Sequence, residues 1–221
     1  MSKWEKFTSL GTLLAAIAAI AAVIVAVNTT QISHQTNLPI ISAITTMRYD
    51  QAEGLWSEEL VVNNNGFALR EFDCYTQTVM EIRAGAEKRT YIPLSGYFGL
   101  GDYTGNSNGL LVSMSQKGNY SLYSSIYLDF HEEASNDGYS SAPWPYTVLV
   151  VGYEDYTRAF RREYYFVGTS GSNEISEEYA WTILDSASAN RELMKSEGLS
   201  CFISTLNGTD LWHWYKGQYL E

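Results

Sequence analysis

The sequence predicts a mainly β protein, with one β-sandwich domain behind an N-terminal apolar helix long enough to cross a bilayer. Three observations carry this reading. Residues 10–27 hold no charged side chain. The rest of the chain breaks into short β-branched and aromatic runs, separated by clusters of Gly, Asn and Ser. Tyrosine is abundant, with 17 Tyr beside 6 Trp, and aromatic residues favour strands.

The apolar segment comes first. At ~1.5 Å per residue a helix over 10–27 reaches roughly 27 Å, the thickness of a hydrocarbon core. Lys3 and Lys6 precede it, and Trp4 suits the lipid–water boundary. Three readings compete. A cleaved signal peptide has a candidate site in Ala19-Ile20-Ala21, but the apolar run continues to Val27. A buried helix of a soluble protein normally shows a polar face, and none is present here. A retained transmembrane anchor fits best. No Lys or Arg follows the segment until Arg48, so residues 1–9 are expected in the cytoplasm and the domain outside it. Leu10, Leu13, Ile17, Ile20, Ile24 and Val27 recur at heptad spacing, while Gly11, Ala15, Ala18 and Ala22 repeat small residues on the opposite side. Either face suits association of anchors. The bland alternative is apolar filler.

Residues 28–37 are polar and read as a juxtamembrane linker, leaving 38–221 as the domain. Residues 38–49, with Ile40, Ile41, Ile44 and Thr45, predict a strand. So does the run 60–62, stopped by the turn signal Asn63-Asn64-Asn65-Gly66. Residues 72–82 and 90–94 follow as strands, then a Gly-, Ser- and Asn-rich loop over 95–109. The segment 120–130 alternates, with Ile126, Leu128 and Phe130 on one face, and predicts a further strand. After a loop over 136–145, residues 146–153 and 159–167 predict a hairpin turned around 154–158. Residues 176–197 are different. Ser176 is a cap, Glu177 and Glu178 suit a first turn, and Tyr179, Ile183, Leu184 and Ala187 keep helical spacing up to a stop at Gly198. Beyond it, Cys201-Phe202-Ile203 is open to a strand and 210–220 to a short aromatic helix. Strands at even spacing with turns between them suggest a β-sandwich.

The stretch 60–82, LVVNNNGFALREFDCYTQTVMEI, resembles the bulged hairpin of bacterial immunoglobulin-like adhesion and accessory modules, in which a strand ends in an Asn-x-Gly turn and a second strand follows. The whole layout is similar to a group of uncharacterised bacterial single-pass proteins. The shared marks are a short anchor, the strand start Asn37-Leu38-Pro39-Ile40, the Asn-Gly hairpin and a late hairpin, here VGYEDYTRAFRREYYF. The resemblance implies an immunoglobulin-like β-sandwich with one C-terminal helix. It implies no activity, because a fold does not bring a function with it.

Composition narrows the chemistry. The net charge of −11 argues against nucleic acid, which needs clustered Lys and Arg. It also argues against peripheral attachment to anionic head groups. Cys74 and Cys201 stand alone, without CxxC or His at ligand spacing, so no zinc site is expected. Two free thiols is one reading; a disulfide is the other if the domain lies outside the cytoplasm. On a strand, Asp129, His131 and Glu133 share a face and suit a divalent metal or an acid–base pair, although a solvated strand end explains them as well. Gly168 to Ser172 reads GTSGS and is not a nucleophile elbow, and Gly99, Gly101 and Gly105 lack the spacing of a phosphate loop. No catalytic residues, cofactor or metal are therefore expected.

Aromatic residues in predicted loops are the remaining signal. Tyr97, Phe98 and Tyr103 sit in one, and Trp144 and Tyr146 flank Pro145 in another. Such rings bind sugars or anchor proteins, or else they plug the ends of a sandwich. The leading expectation is a membrane-tethered, non-catalytic interaction module, an accessory or sensory subunit that binds a protein partner or itself. The runner-up is a cell-surface domain that recognises glycan or peptidoglycan through the loop aromatics.

Overall fold

The computed structural model describes residues 19–20, 22–26, 38–50, 54–84, 88–139, 145–168 and 171–220. Its strands are β1 (Ile41–Asp50), β2 (Leu55–Asn64), β3 (Arg70–Ala84), β4 (Lys88–Pro93), β5 (Asp102–Tyr103), β6 (Gly109–Ser115), β7 (Pro145–Glu154), β8 (Phe160–Gly168) and β9 (Gly171–Glu174). They form two sheets with every pairing antiparallel: β1-β2-β6-β5, and β4-β3-β7-β8-β9. Three helices complete the described domain: α1 (Asn119–Asn136), α2 (Glu177–Ser196) and α3 (Gly208–Tyr219).

The two sheets face each other. Alternation along β2 points Leu60 and Val62 inward, and they meet Leu149, Val151, Tyr165 and Val167 of the second sheet in one apolar cluster. The other face of the second sheet is covered by α2, whose Ala180, Ile183, Leu184 and Ala187 pack on Val79, Tyr91, Val148 and Val150. Strand β7 is thus buried on both faces, which accounts for its unbroken apolar run Val148-Leu149-Val150-Val151. A third cluster joins Met80, Ile82 and Ile92 to α1 and α3 at one end of the sandwich. The expected single C-terminal helix is therefore corrected to three helices, which add a layer to the second sheet and close one end of the core.

The predicted strand over 120–130 is α1. Its buried residues are Tyr123, Ile126, Phe130 and Ala134, spaced by three and four. Leu128 breaks the supposed alternation: it is 61% exposed while Phe130 is fully buried. The usual start signals are missing, because the cap is Gly118 with no side-chain bond and the first turn has no acid. Helix α2, by contrast, begins as expected, with the Ser176 hydroxyl accepting from Tyr179 N at 3.2 Å. Helix α3 agrees with the helical option for 210–220, and its Asn207 cap accepts from Asp210 N. Cys201-Phe202-Ile203 is not a strand, contributing only an isolated bridge from Phe202 to Ser95. Strands β6 and β9 fall in segments with no assigned element.

The turn at Asn63–Gly66 is present, but it does not close a hairpin. β2 pairs with β1 and β6, whereas β3 pairs with β4 and β7, so the turn carries the chain from one sheet to the other. Asn64 holds this corner. Its buried side chain donates to Phe67 O (2.7 Å) and Ser107 O (2.9 Å), and accepts from Ile40 N and Gly66 N (3.0 Å each). Position 66 must be glycine, since a Cβ there would stand 2.5 Å from both Ile40 N and Leu38 O. The β7–β8 hairpin matches its expectation.

Most of the apolar segment lies outside the described residues, including Gly11, Leu13, Ala15, Ile17 and Ala18. Residues 19–20 and 22–26 are helical, and Ile20, Val23, Ile24 and Val25 are each more than half exposed. Among the described residues no helix is long and apolar enough to cross a membrane. Cys74 and Cys201 are free thiols in different apolar clusters, which removes the disulfide option.

Candidate functional site

Inward positions Val62 and Leu60 of β2 are apolar, and the next in phase is Glu58. This carboxylate alternates in phase with Leu60 and Val62, so strand geometry turns it into the sandwich. Only 7% of it is exposed. Thr78 of β3 and Thr147 of β7 face it from the other sheet and share a buried hydrogen bond of 2.8 Å. Thr45 of β1 stands alongside and donates to Gly168 O at 3.1 Å. Together with Tyr97, Phe98, Pro145 and Tyr146 they line a cavity of about 10 Å³, the size of one water molecule.

One carboxylate oxygen of Glu58 accepts from the Tyr97 hydroxyl at 3.1 Å, and no arginine or lysine among the described residues pairs with it. Burial raises the Glu58 pKa, and the Tyr97 hydrogen bond offsets only part of that. The Tyr97 phenol is also raised, by burial first and then by the charge and hydrogen bond of Glu58. Met47 is the register partner of Glu58 on the same inner face, and Tyr49 lies two residues further along β1. Both are exposed. The arrangement offers one poised carboxyl and several hydroxyls under an apolar lip. It suits accepting a single donor group from a ligand or partner. Two-group acid–base chemistry needs a second titratable partner, and the described lining supplies only phenols.

The predicted loop aromatics scatter. Tyr97 and Tyr146 are core rings, 3% and 6% exposed. Tyr146 stacks on Phe166 at 4.3 Å and donates to Glu81 at 3.2 Å. Phe98 is half-buried beside Tyr97, their ring centres 5.2 Å apart. Tyr103 is 53% exposed, donates to Cys74 O at 3.0 Å and leans on Phe72. Trp144 lies outside the described residues. The rings therefore form no common exposed surface: Tyr97 and Phe98 line the cavity around Glu58, while the Tyr146 ring packs in the cluster under α2.

Asp129, His131 and Glu133 lie on α1 rather than on a strand. Helical spacing sets His131 away from the two acids, and it stacks on Tyr127 at 5.6 Å. Among the described residues no three His, Cys, Asp or Glu side chains are grouped to hold a metal. The sequence expectation does not include Glu58, Thr78 or Thr147. The available signal was a carboxyl in the apolar phase of a strand, Glu58-x-Leu60-x-Val62. Compared with protein-family models, curated proteins and solved structures, the chain matches none.

Proposed function

We propose that this protein is a membrane-tethered, non-catalytic interaction module, anchored through residues 10–27 and presenting its β domain outside the cytoplasm. The observation that carries the reading is the Glu58 slot. A buried carboxyl with no ion-pair partner among the described residues lies there between the sheets, and Met47, its register partner on β1, is exposed beside it. A protein partner inserts one hydrogen-bond donor into the slot and covers the apolar rim, the anchor-and-pocket pattern of binding hot spots. The exposed apolar side chains of Ile20, Val23 and Ile24 support the anchor, since such a run calls for something to cover it. Lipid or a second copy of the helix would do so. The likeness to immunoglobulin-like accessory modules enters only through two facing antiparallel sheets, which many sandwiches share.

The test is a photo-crosslinking residue at Met47 in intact cells, with the same residue at Asn63, on the outward face of β2, as reference. A defined adduct at 47, absent at 63 and weakened by Glu58→Leu, is the expected result. Equal labelling at both positions would overturn the slot as the binding face. The size of the detergent-purified protein then separates a foreign partner from a second copy.

A further inference from the structure

We propose that the end of the sandwich at which the chain enters the domain is a lipid-docking surface, with rings seated at the head-group boundary and arginines on lipid phosphates. This rests on the anchor reading above and adds to it a second, interfacial contact.

Several segments meet at this end. Phe67 N bonds Leu38 O (3.1 Å) and Asn65 N bonds Ile40 O (2.8 Å), so the first residues of the domain lie against the β2–β3 corner. Leu69 N bonds Ser107 O (3.0 Å), bringing in the β5–β6 loop. Phe67 packs edge-on against Tyr156 with ring centres 6.0 Å apart, bringing in the β7–β8 turn. Ten residues, 28–37, separate this end from the apolar segment. They span at most about 35 Å, so a membrane anchor keeps this end, where the chain enters the domain, within that distance of the bilayer.

Its chemistry fits that place. Leu38, Ile40, Phe67 and Phe160 are all exposed here. Soluble surfaces rarely gather such residues, whereas interfaces with lipid favour them. Arg70, Arg158 and Arg162 make no ion pair among the described residues, in a chain of net charge −11. Arg162 instead lies over the Phe160 ring, 5.6 Å from its centre, the pairing of a ring and a guanidinium that a boundary between tails and phosphates would engage together. Arg158 is exposed in the turn itself, with φ 64°. Glu71, Asp73 and Glu154 also lie at this end. Contact therefore depends on reach, which favours the longer arginine side chains. The strongly acidic remainder is repelled by anionic lipid, so docking needs the tether to present this end first.

The experiment measures hydrogen exchange of the full chain in nanodiscs of phosphatidylcholine and phosphatidylglycerol in equal parts, against maltoside micelles, which carry no phosphate. Backbone amides of 65–70 and 155–162 should exchange about tenfold or more slowly in nanodiscs. The pair Arg158→Glu and Arg162→Glu should abolish the difference, and the corresponding Lys pair should keep most of it. Equal exchange in both media, with the protein retained in the disc, overturns docking and leaves the anchor standing. Protection that survives the Glu pair, or that grows with protein concentration in micelles, overturns the phosphate contact in favour of a protein one. Release of the chain from the disc by alkaline carbonate overturns the anchor and the docking together.

Discussion

At the tip of the β7–β8 hairpin the Asp155 side chain is fully buried and organises the turn by itself. Its Oδ1 accepts from Thr157 N (2.8 Å), the Thr157 hydroxyl and Ala159 N (3.1 Å), and its Oδ2 from Arg161 Nε (2.9 Å). Burial is the largest single influence and acts to raise its pKa, but these hydrogen bonds together bring it down to about 2. The ionised form therefore stabilises the fold fully above the ordinary value of 3.8, and that stabilisation is lost as pH falls through about 2. Asp155→Asn should cost about 2–3 kcal/mol at neutral pH and flatten stability between the two values, read by urea denaturation across pH. An unchanged midpoint would show that the turn holds without the charge. Glu58 has the opposite sign. Its raised pKa favours the protonated acid in the fold, so stability is greatest below 4.5 and falls as pH rises through the raised value. Glu58→Gln should remove that fall, and a persisting slope would place its source elsewhere. Neither role is visible in composition, because an acidic chain offers many carboxylates and only their surroundings separate them.

Helix α1 shows where an element is decided by its neighbours. Its sequence is rich in aromatics and serines, its cap residue Gly118 has no side chain, and it alternates over a short stretch as a strand would. What settles the helix is the face it can bury. Phe130 meets Trp212 and Tyr215 of α3 edge-on, with ring centres 5.4 and 6.2 Å apart, and Tyr123 and Ile126 join the same cluster. Trp212 in turn donates to Asp137 just past the end of α1 at 2.7 Å, and Lys216 donates to the same oxygen at 3.0 Å. Phe130→Ala should destabilise the protein by about 3–5 kcal/mol, whereas Leu128→Ser should change it by no more than about 0.5 kcal/mol. Chemical denaturation of the two variants tests this, and similar losses from both would restore the strand. The Asn63–Gly66 turn teaches a related lesson. Its residues announce a reversal of the chain, but whether the next strand returns to the same sheet depends on partners distant in sequence.

For the molecule as a whole, the arrangement separates two surfaces. The Glu58 slot lies between the sheets, away from the corner where the chain enters, so the proposed docking of that corner on a bilayer would leave the slot free for the proposed partner. The asymmetry of Lys3 and Lys6 before the apolar run predicts that protease added to intact cells or spheroplasts digests the domain. Full protection until lysis would reverse the orientation and place the slot in the cytoplasm. In either orientation the thiols of Cys74 and Cys201 belong to separate clusters and constrain nothing by pairing.

Local pattern alone determined a good part of this protein. Seven runs show their state in the sequence: the six strands β1, β2, β3, β4, β7 and β8, and the capped helix α2. Each carries its own periodicity, turn residues or cap, and such signals act over a few residues. The tertiary structure decided what depends on distant partners. It sent β2 and β3 to different sheets, because Asn64 and Gly66 fit a corner built with Leu38, Ile40 and Ser107. It made α1 a helix, because α3 offers aromatic cover. It drew Tyr97 and Tyr146 out of an expected binding surface, Tyr97 into the wall beside Glu58 and Tyr146 into the cluster under α2. Burying a ring or a carboxyl is governed by what packs against it, and that comes from segments far apart in the chain.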